Sequence, residues 1–296
     1  MAQPDMGHKE EYKILLDLLA KVINANRDYP VSSISDGERL LEAHYLANKF
    51  IGHALTVLYI SHSTSVKDLP SFKQFNFIDS ASIDVLTRAS FEAFLVFHYV
   101  FYAPSTAEEK DYRYWSYKAA GLSERQNLPE FTKEYEQKKA EEKIKLDELR
   151  RSLESNGIFR SLTARQQNQV FEGKGKWKWK PNGLGQLSWR EIAIDAGFSE
   201  MLASHMYRHL SGYAHSSSMS ALQTAQALLN REVERLVKPS INTMNVLVAN
   251  MIREYCDLFP KVQDVLRESG ASGFVDTWIC IGRRLDENLD TGQDSD

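Results

Sequence analysis

Apolar side chains recur at three- and four-residue intervals along most of the chain. Tyr12, Leu15, Leu16, Leu19, Val22 and Ile23 form one stripe; Leu41, Tyr45, Leu46, Phe50 and Leu55 form a second that runs to about Ile60. This is the period of an amphipathic α-helix. Ser35-Asp36-Gly37-Glu38 stands at the head of the second stripe. A hydroxyl followed three residues later by a carboxylate is a helix start. Residues 61–76 hold Pro70 and several serines and predict a loop. The most apolar run, residues 78–101, predicts a helix central to the core, and Pro104 ends it or starts the next one. Residues 106–126 predict a further helix rich in aromatics.

The pattern then changes twice. Residues 131–155 alternate Glu and Lys, with only Ile144, Leu146, Leu149 and Leu153 as a thin apolar stripe. That predicts a long, partly exposed helix, which Asn156-Gly157 caps at its C-terminal end. Residues 173–189 break the helical period. Trp177 and Trp179 alternate with Lys176, Lys178 and Lys180, and Pro181-Asn182-Gly183 makes a turn. Ser188-Trp189-Arg190-Glu191 is a second helix start, and Gly197 ends the short helix it opens. Helices follow over 199–210, 216–237 and 241–258, with Ser216-Ser217-Ser218 as an N-cap and Pro239 separating or kinking the last two. The expectation is an all-α helical bundle with one irregular loop or short hairpin near 173–189. It is one domain over residues 1–296, with its core at about 36–260 and a frayed acidic tail at 286–296.

Composition agrees with that picture and adds little chemistry. The 296 residues are 43% hydrophobic and 26% charged, with 15 Gly and 8 Pro, which suits a globular helical protein. Two cysteines exclude a disulfide scaffold. A net charge of −4 excludes a broadly basic nucleic-acid binder, so any phosphate site must be local. The N-terminus lacks a basic stretch followed by an apolar one, and no apolar run is long enough to span a bilayer. These features predict a cytoplasmic protein with no membrane contact and no cofactor.

Three of the eight histidines fall within residues 205–215. Arg208 and His215 are seven positions apart. That is about 700° of helical rotation, or within about 20° of one face, with a rise of about 10 Å. A guanidinium offers a planar, charged fork to phosphate oxygens, and an imidazole exchanges protons near neutral pH. Ser211 and Tyr213 add hydroxyl groups between them, and His209 adds a second imidazole.

Arg208-His209-x5-His215 resembles the Arg-x(4–6)-His signature of HEPN domains, helical proteins common among prokaryotic toxin and defence ribonucleases. Its six-residue gap lies at the upper limit of that signature. Arg88-x3-Glu92 and Tyr207-x3-Ser211-x3-His215 also resemble elements of a poorly characterised prokaryotic helical group close to HEPN proteins. The resemblance covers about residues 40–260. It implies metal-independent RNA cleavage by attack of a 2′-hydroxyl, with Arg208 on the phosphate, His215 moving a proton, and a homodimer completing the site. Arg88 and Glu92 lie four apart on the core helix, so they share a face and pair with each other, or turn toward Arg208 and His215.

Two further patterns carry chemistry. His205-x3-His209-x2-Gly212-x2-His215 has the spacing of a metzincin zinc site, provided that the chain turns at Gly212. Met206 stands where the general-base Glu of such proteases belongs, so the pattern suits at most a non-hydrolytic zinc site. Lys176, Trp177, Lys178, Trp179 and Lys180 interleave cations with rings, which suits RNA phosphate contact with base stacking. The same run also suits an amphipathic hairpin with its rings turned inward. His44, His53 and His62 recur every nine residues, which places His53 opposite the other two and forbids a shared metal. A non-catalytic helical protein that binds a ligand or partner is the reading from outside enzymology.

Overall fold

The computed structural model describes residues 7–27, 36–62, 64–65, 76–129, 132–173, 176–180, 185–214, 218–230 and 233–284. For His205, His209, Ser211 and Tyr213 it describes the backbone alone. The fold is all-α, a helical bundle. A two-residue antiparallel ladder, Thr64–Ser65 (β1) with Asn76–Phe77 (β2), interrupts it within the expected loop. The helices gather into two compact units, Met1–Phe97 with Ala193–Asp296 and the continuous stretch His98–Ile192. Residues 286–296, the predicted tail, lie outside the described residues. Among the described residues, no helix is long and apolar enough to cross a membrane.

The first unit is built on α1 (His8–Ala25), α2 (Gly37–Ile60), α3 (Ser80–Phe97), α9 (Glu200–Ala214) and α11 (Val233–Leu258). The six apolar residues read from α1 are all buried, and α1 packs on α2 and α11. Asp36 occupies the N-cap position of α2; Ser35 lies outside the described residues. Helix α3 lies against α2, α9 and α11. Its Phe91 and Phe94 meet Phe198, with ring centroids 6.3 and 5.6 Å apart. Gly197 ends α8 (Trp189–Asp195) at φ +86°, a left-handed conformation that glycine adopts freely. Ser199 then caps α9, accepting the Leu202 amide at 3.1 Å.

The structure decides two points about helix ends. The apolar run stops being α-helical at Phe97 and finishes as a π-helical turn, His98–Tyr102, with the Ala103 amide donating to the His98 carbonyl at 2.8 Å. Of the two alternatives at Pro239, the structure has the single helix rather than a break: α11 runs through it for 26 residues. Burial of Ile241, Met244, Leu247, Val248 and Met251 outweighs the amide that proline removes. Helix α10 spans Ser218–Asn230; Ser216 and Ser217 lie outside the described residues.

The second unit holds α4 (Ala107–Gln126), α5 (Lys133–Ser155), α6 (Gly157–Ser161) and α7 (Ala164–Val170). The Thr106 hydroxyl caps α4, accepting the Glu109 amide at 3.1 Å. Tyr112, Ala119, Leu153, Phe159, Leu162 and Val170 form its core, with Leu146, Leu149 and Trp179 packed against them. Helix α5 is as exposed as its charge pattern requires, and Leu153 is its one buried residue. Asn156-Gly157 is not the glycine C-cap expected from sequence. Asn156 is extended and caps the next helix, its Oδ1 accepting the Phe159 amide at 3.2 Å. Gly157 opens α6 because the Glu108 carboxylate sits where a Cβ would be, accepting its amide at 2.7 Å.

The irregular segment is a short hairpin. Trp179 pairs with Gln186, the Lys180 amide donates to the Gly185 carbonyl at 3.0 Å, and the Leu187 amide to the Lys178 carbonyl at 2.7 Å. Its predicted turn, residues 181–183, lies outside the described residues.

Candidate functional site

Helix α3 carries Arg88 and Glu92 one turn apart, and Arg88 Nε donates to Glu92 Oε1 at 3.1 Å. The neighbouring phenylalanines predict a buried pair. The two side chains instead keep 21% and 36% of their surface, at the edge of the face that α3 turns toward α9. A pair so placed contributes little stability of its own, about 0–1 kcal/mol. Its effect is to orient the guanidinium.

Across the α3–α9 contact, the Arg88 guanidinium carbon lies 5.6 Å from the centre of the Tyr207 ring. A cation over a ring at that distance gains about 0.5–1 kcal/mol where water reaches it. Arg88 is thus held by a carboxylate on its own helix and by a ring on the next. Arg208 follows Tyr207 in the chain and is exposed. Successive residues on a helix lie about 100° apart, so Arg208 stands beside the Arg88–Tyr207 contact along α9 rather than within it. Helix α9 continues for six residues past Arg208, through Ser211 and Tyr213 to Ala214. The helix predicted to end at Leu210 thus runs on past Ser211 and Tyr213, and His215 lies outside the described residues.

That same continuity bears on the zinc pattern. The helix passes through Gly212 without a turn, so the bend that would carry His215 round to His205 and His209 is not made there. Elsewhere among the described residues, no three His, Cys, Asp or Glu side chains come together as a metal site. His98, on the predicted core helix, is buried with its ring 5.8 Å from that of Tyr102. His44 is tied to Tyr255 Oη at 2.7 Å.

The Lys-Trp segment is arranged differently from what base stacking requires. Trp177 is buried, with its ring 5.2 Å from Tyr117 and 5.6 Å from Tyr99. Trp179 packs on the core of the second unit and donates from Nε1 to the Lys176 carbonyl at 2.9 Å. Lys178, also buried, places its ammonium 4.1 Å from the centre of the Trp189 ring and 5.1 Å from that of Trp177. Lys176 pairs with Glu172 at 3.0 Å and Lys180 with Glu191 at 2.8 Å. Lys180 and the Ser188 cap hold the Glu191 carboxyl down to about 2. The rings are spent on packing, two of the three cations are paired with carboxylates and the third lies against two rings, so the Trp177 and Trp179 rings are not free stacking faces. Beside it, Tyr117, Lys118, Gly121, Glu124 and Trp177 line a cavity of about 350 Å³.

One polar feature of the core was not singled out by sequence. Asp84 on α3 is buried and accepts from the Ser240 hydroxyl on α11, while its Oδ2 has no hydrogen-bond partner among the described residues. Burial pushes its carboxyl up to about 6, against the opposing pull of the Ser240 hydroxyl. The signal was a carboxylate inside the run Ile83-Asp84-Val85-Leu86, on the most apolar helix of the chain.

No curated protein and no solved structure matches this chain. A family profile does match, over residues 55–228, from the second half of α2 into the last turn of α10, and it includes both Arg88-x3-Glu92 and Tyr207-x3-Ser211-x3-His215. That span is more than half of the 296 residues, and the chain belongs to DUF5677, a family of unknown function.

Proposed function

We propose that the α3–α9 face is a phosphate-binding site and that the protein is a HEPN-like, metal-independent ribonuclease of the cytoplasm. The observation that carries this reading is Arg88 held over Tyr207 by Glu92, one residue from the exposed Arg208. Two elements that are far apart in sequence, both resembling a helical group close to HEPN proteins, thereby meet on adjacent helices. A guanidinium pre-oriented by a ring and a carboxylate engages a phosphate with less ordering cost than a free side chain.

In this reading the two arginines hold the scissile phosphate of an RNA strand. The 2′-oxygen bonds to phosphorus as the P–O5′ bond breaks, giving a 2′,3′-cyclic phosphate and a 5′-hydroxyl. The proton lost by the 2′-hydroxyl balances the one gained by the 5′-oxygen, and His215 is the group assigned to carry it. Charge stabilisation by the arginines is the larger contribution expected. The test is incubation of the purified protein with total RNA in a chelator, beside His215→Ala. Cleavage by the wild type and a loss of about a hundredfold or more in the variant is expected. Equal cleavage by both, or cleavage by neither, would refute the reading.

A further inference from the structure

Tyr207 is an exposed ring on the α3–α9 face: it keeps 39% of its surface, where the Trp177 ring of the hairpin keeps 7%. The Arg88 guanidinium lies over one face of the Tyr207 ring, 5.6 Å from its centre, and Arg88 itself keeps only 21% of its side-chain surface. That face of the ring is therefore covered. The exposure of Tyr207 belongs to its opposite face and outer edge.

Helix α9 fixes what stands beside that open face. Ala203, Met206 and Leu210 are buried and mark the side of α9 that meets the core. At about 100° per residue, Tyr207 lies about 70° round the helix from the middle of that side, and Arg208 about 170°. The ring thus stands at the boundary of the core, with Arg88 on its α3 side and the exposed Arg208 on its solvent side.

We propose that Tyr207 is the base-stacking, specificity-determining residue of this site, and that the substrate is single-stranded RNA with a purine beside the bound phosphate. A ring has two faces; here a cation takes the inner one and leaves the outer one to a base. Arg208, next to the outer face, is placed for the phosphate of the stacked nucleotide. In a duplex each base is covered on both sides by its neighbours, so only an unpaired base can offer its face to the ring. A purine covers more of the ring than a pyrimidine and stacks more strongly. The inference rests on the ribonuclease reading for the nature of the substrate and adds which strands the site selects.

Fluorescence anisotropy with strands that cannot be cut separates base contact from phosphate contact. The probes are uniformly 2′-O-methylated oligo(A), oligo(U), the duplex of the two, and an abasic strand of equal length. The wild type should bind oligo(A) more tightly than the other three. Tyr207→Leu should weaken oligo(A) binding about five- to a hundredfold, the range that one stacked base supplies, and leave the abasic strand unchanged. Tyr207→Phe, which keeps the ring, should bind as the wild type does. The proposal fails if the wild type binds no strand, if it binds the abasic strand as tightly as oligo(A), or if Tyr207→Leu binds oligo(A) like the wild type. It fails equally if Tyr207→Leu weakens the abasic strand as much as oligo(A), because the ring then acts only by holding Arg88. Cleavage is scored separately on all-ribose oligo(A). Tyr207-dependent preference for oligo(A) without cleavage would leave the stacking site standing and refute the ribonuclease; cleavage without that preference would do the reverse.

Discussion

Asp84 shows how one residue joins two helices at a cost. Its hydrogen bond from Ser240 ties α3 to α11, and Ser240 follows the proline that α11 runs through. The folded chain holds the Asp84 proton up to about pH 6, whereas an unfolded one releases it near the ordinary value of 3.8. Protonation therefore favours the folded state. This contribution is complete below the unfolded value and is lost as pH rises through about 6. The shift corresponds to about 3 kcal/mol. Asp84→Asn cannot titrate, so its stability relative to wild type should improve by up to about 3 kcal/mol from pH 4 to pH 7.5, measured by urea unfolding. A difference that does not change with pH would contradict this account of Asp84. The sequence contains the clue, a carboxylate on an apolar helix, but no periodicity says which hydroxyl answers it. Tyr207 is a similar case: spacing alone puts it one residue before Arg208, and only the α3–α9 packing puts its ring beneath Arg88.

Among elements, legibility followed periodicity. Helix α1 presents to the core the six residues that its pattern selects, because three- and four-residue spacing is a direct image of one helix face. The ends were less legible. Asn156-Gly157 reads as a C-cap because glycine so often adopts a left-handed conformation there, yet Glu108, distant in sequence, holds both residues at the start of α6, its carbonyl accepting from Asn156 Nδ2 and its carboxylate from the Gly157 amide. The Lys-Trp hairpin misleads for a related reason. Alternation says which residues share a side of the strand, but not whether that side meets RNA or a core. Helix α5 offers a clean test of packing. Leu153→Ala should destabilise the protein by about 2–5 kcal/mol, whereas Ile144→Ala, 61% exposed, should stay within about 0.5 kcal/mol. Chemical denaturation distinguishes them, and equal effects would mean that α5 is not anchored through Leu153.

For the whole molecule, the composition correctly implied helices, but chain length alone did not reveal the two compact units. The boundary at Phe97 falls where the core helix becomes a π-helical turn, with no glycine- or proline-rich linker to mark it. Each unit has its own buried side chains, so a cavity in one should loosen that unit first. Leu153→Ala should speed amide exchange in α4, α6 and α7 and leave α1 and α11 protected as in wild type. Uniform loss of protection would show one cooperative unit instead.

The candidate site lies within the first unit, where α3 and α9 pack together. The activity proposed for this face is cleavage of RNA through its 2′-hydroxyl. The direct measurement is cleavage, in a chelator, of a DNA strand that contains one ribonucleotide, beside the same strand in all-deoxy form. Wild-type protein should cut the first, leave a 2′,3′-cyclic phosphate, and spare the second, and Arg208→Ala should be slower by about a hundredfold or more. Cleavage of both strands, an unchanged rate in Arg208→Ala, or no cleavage by the wild type would contradict it.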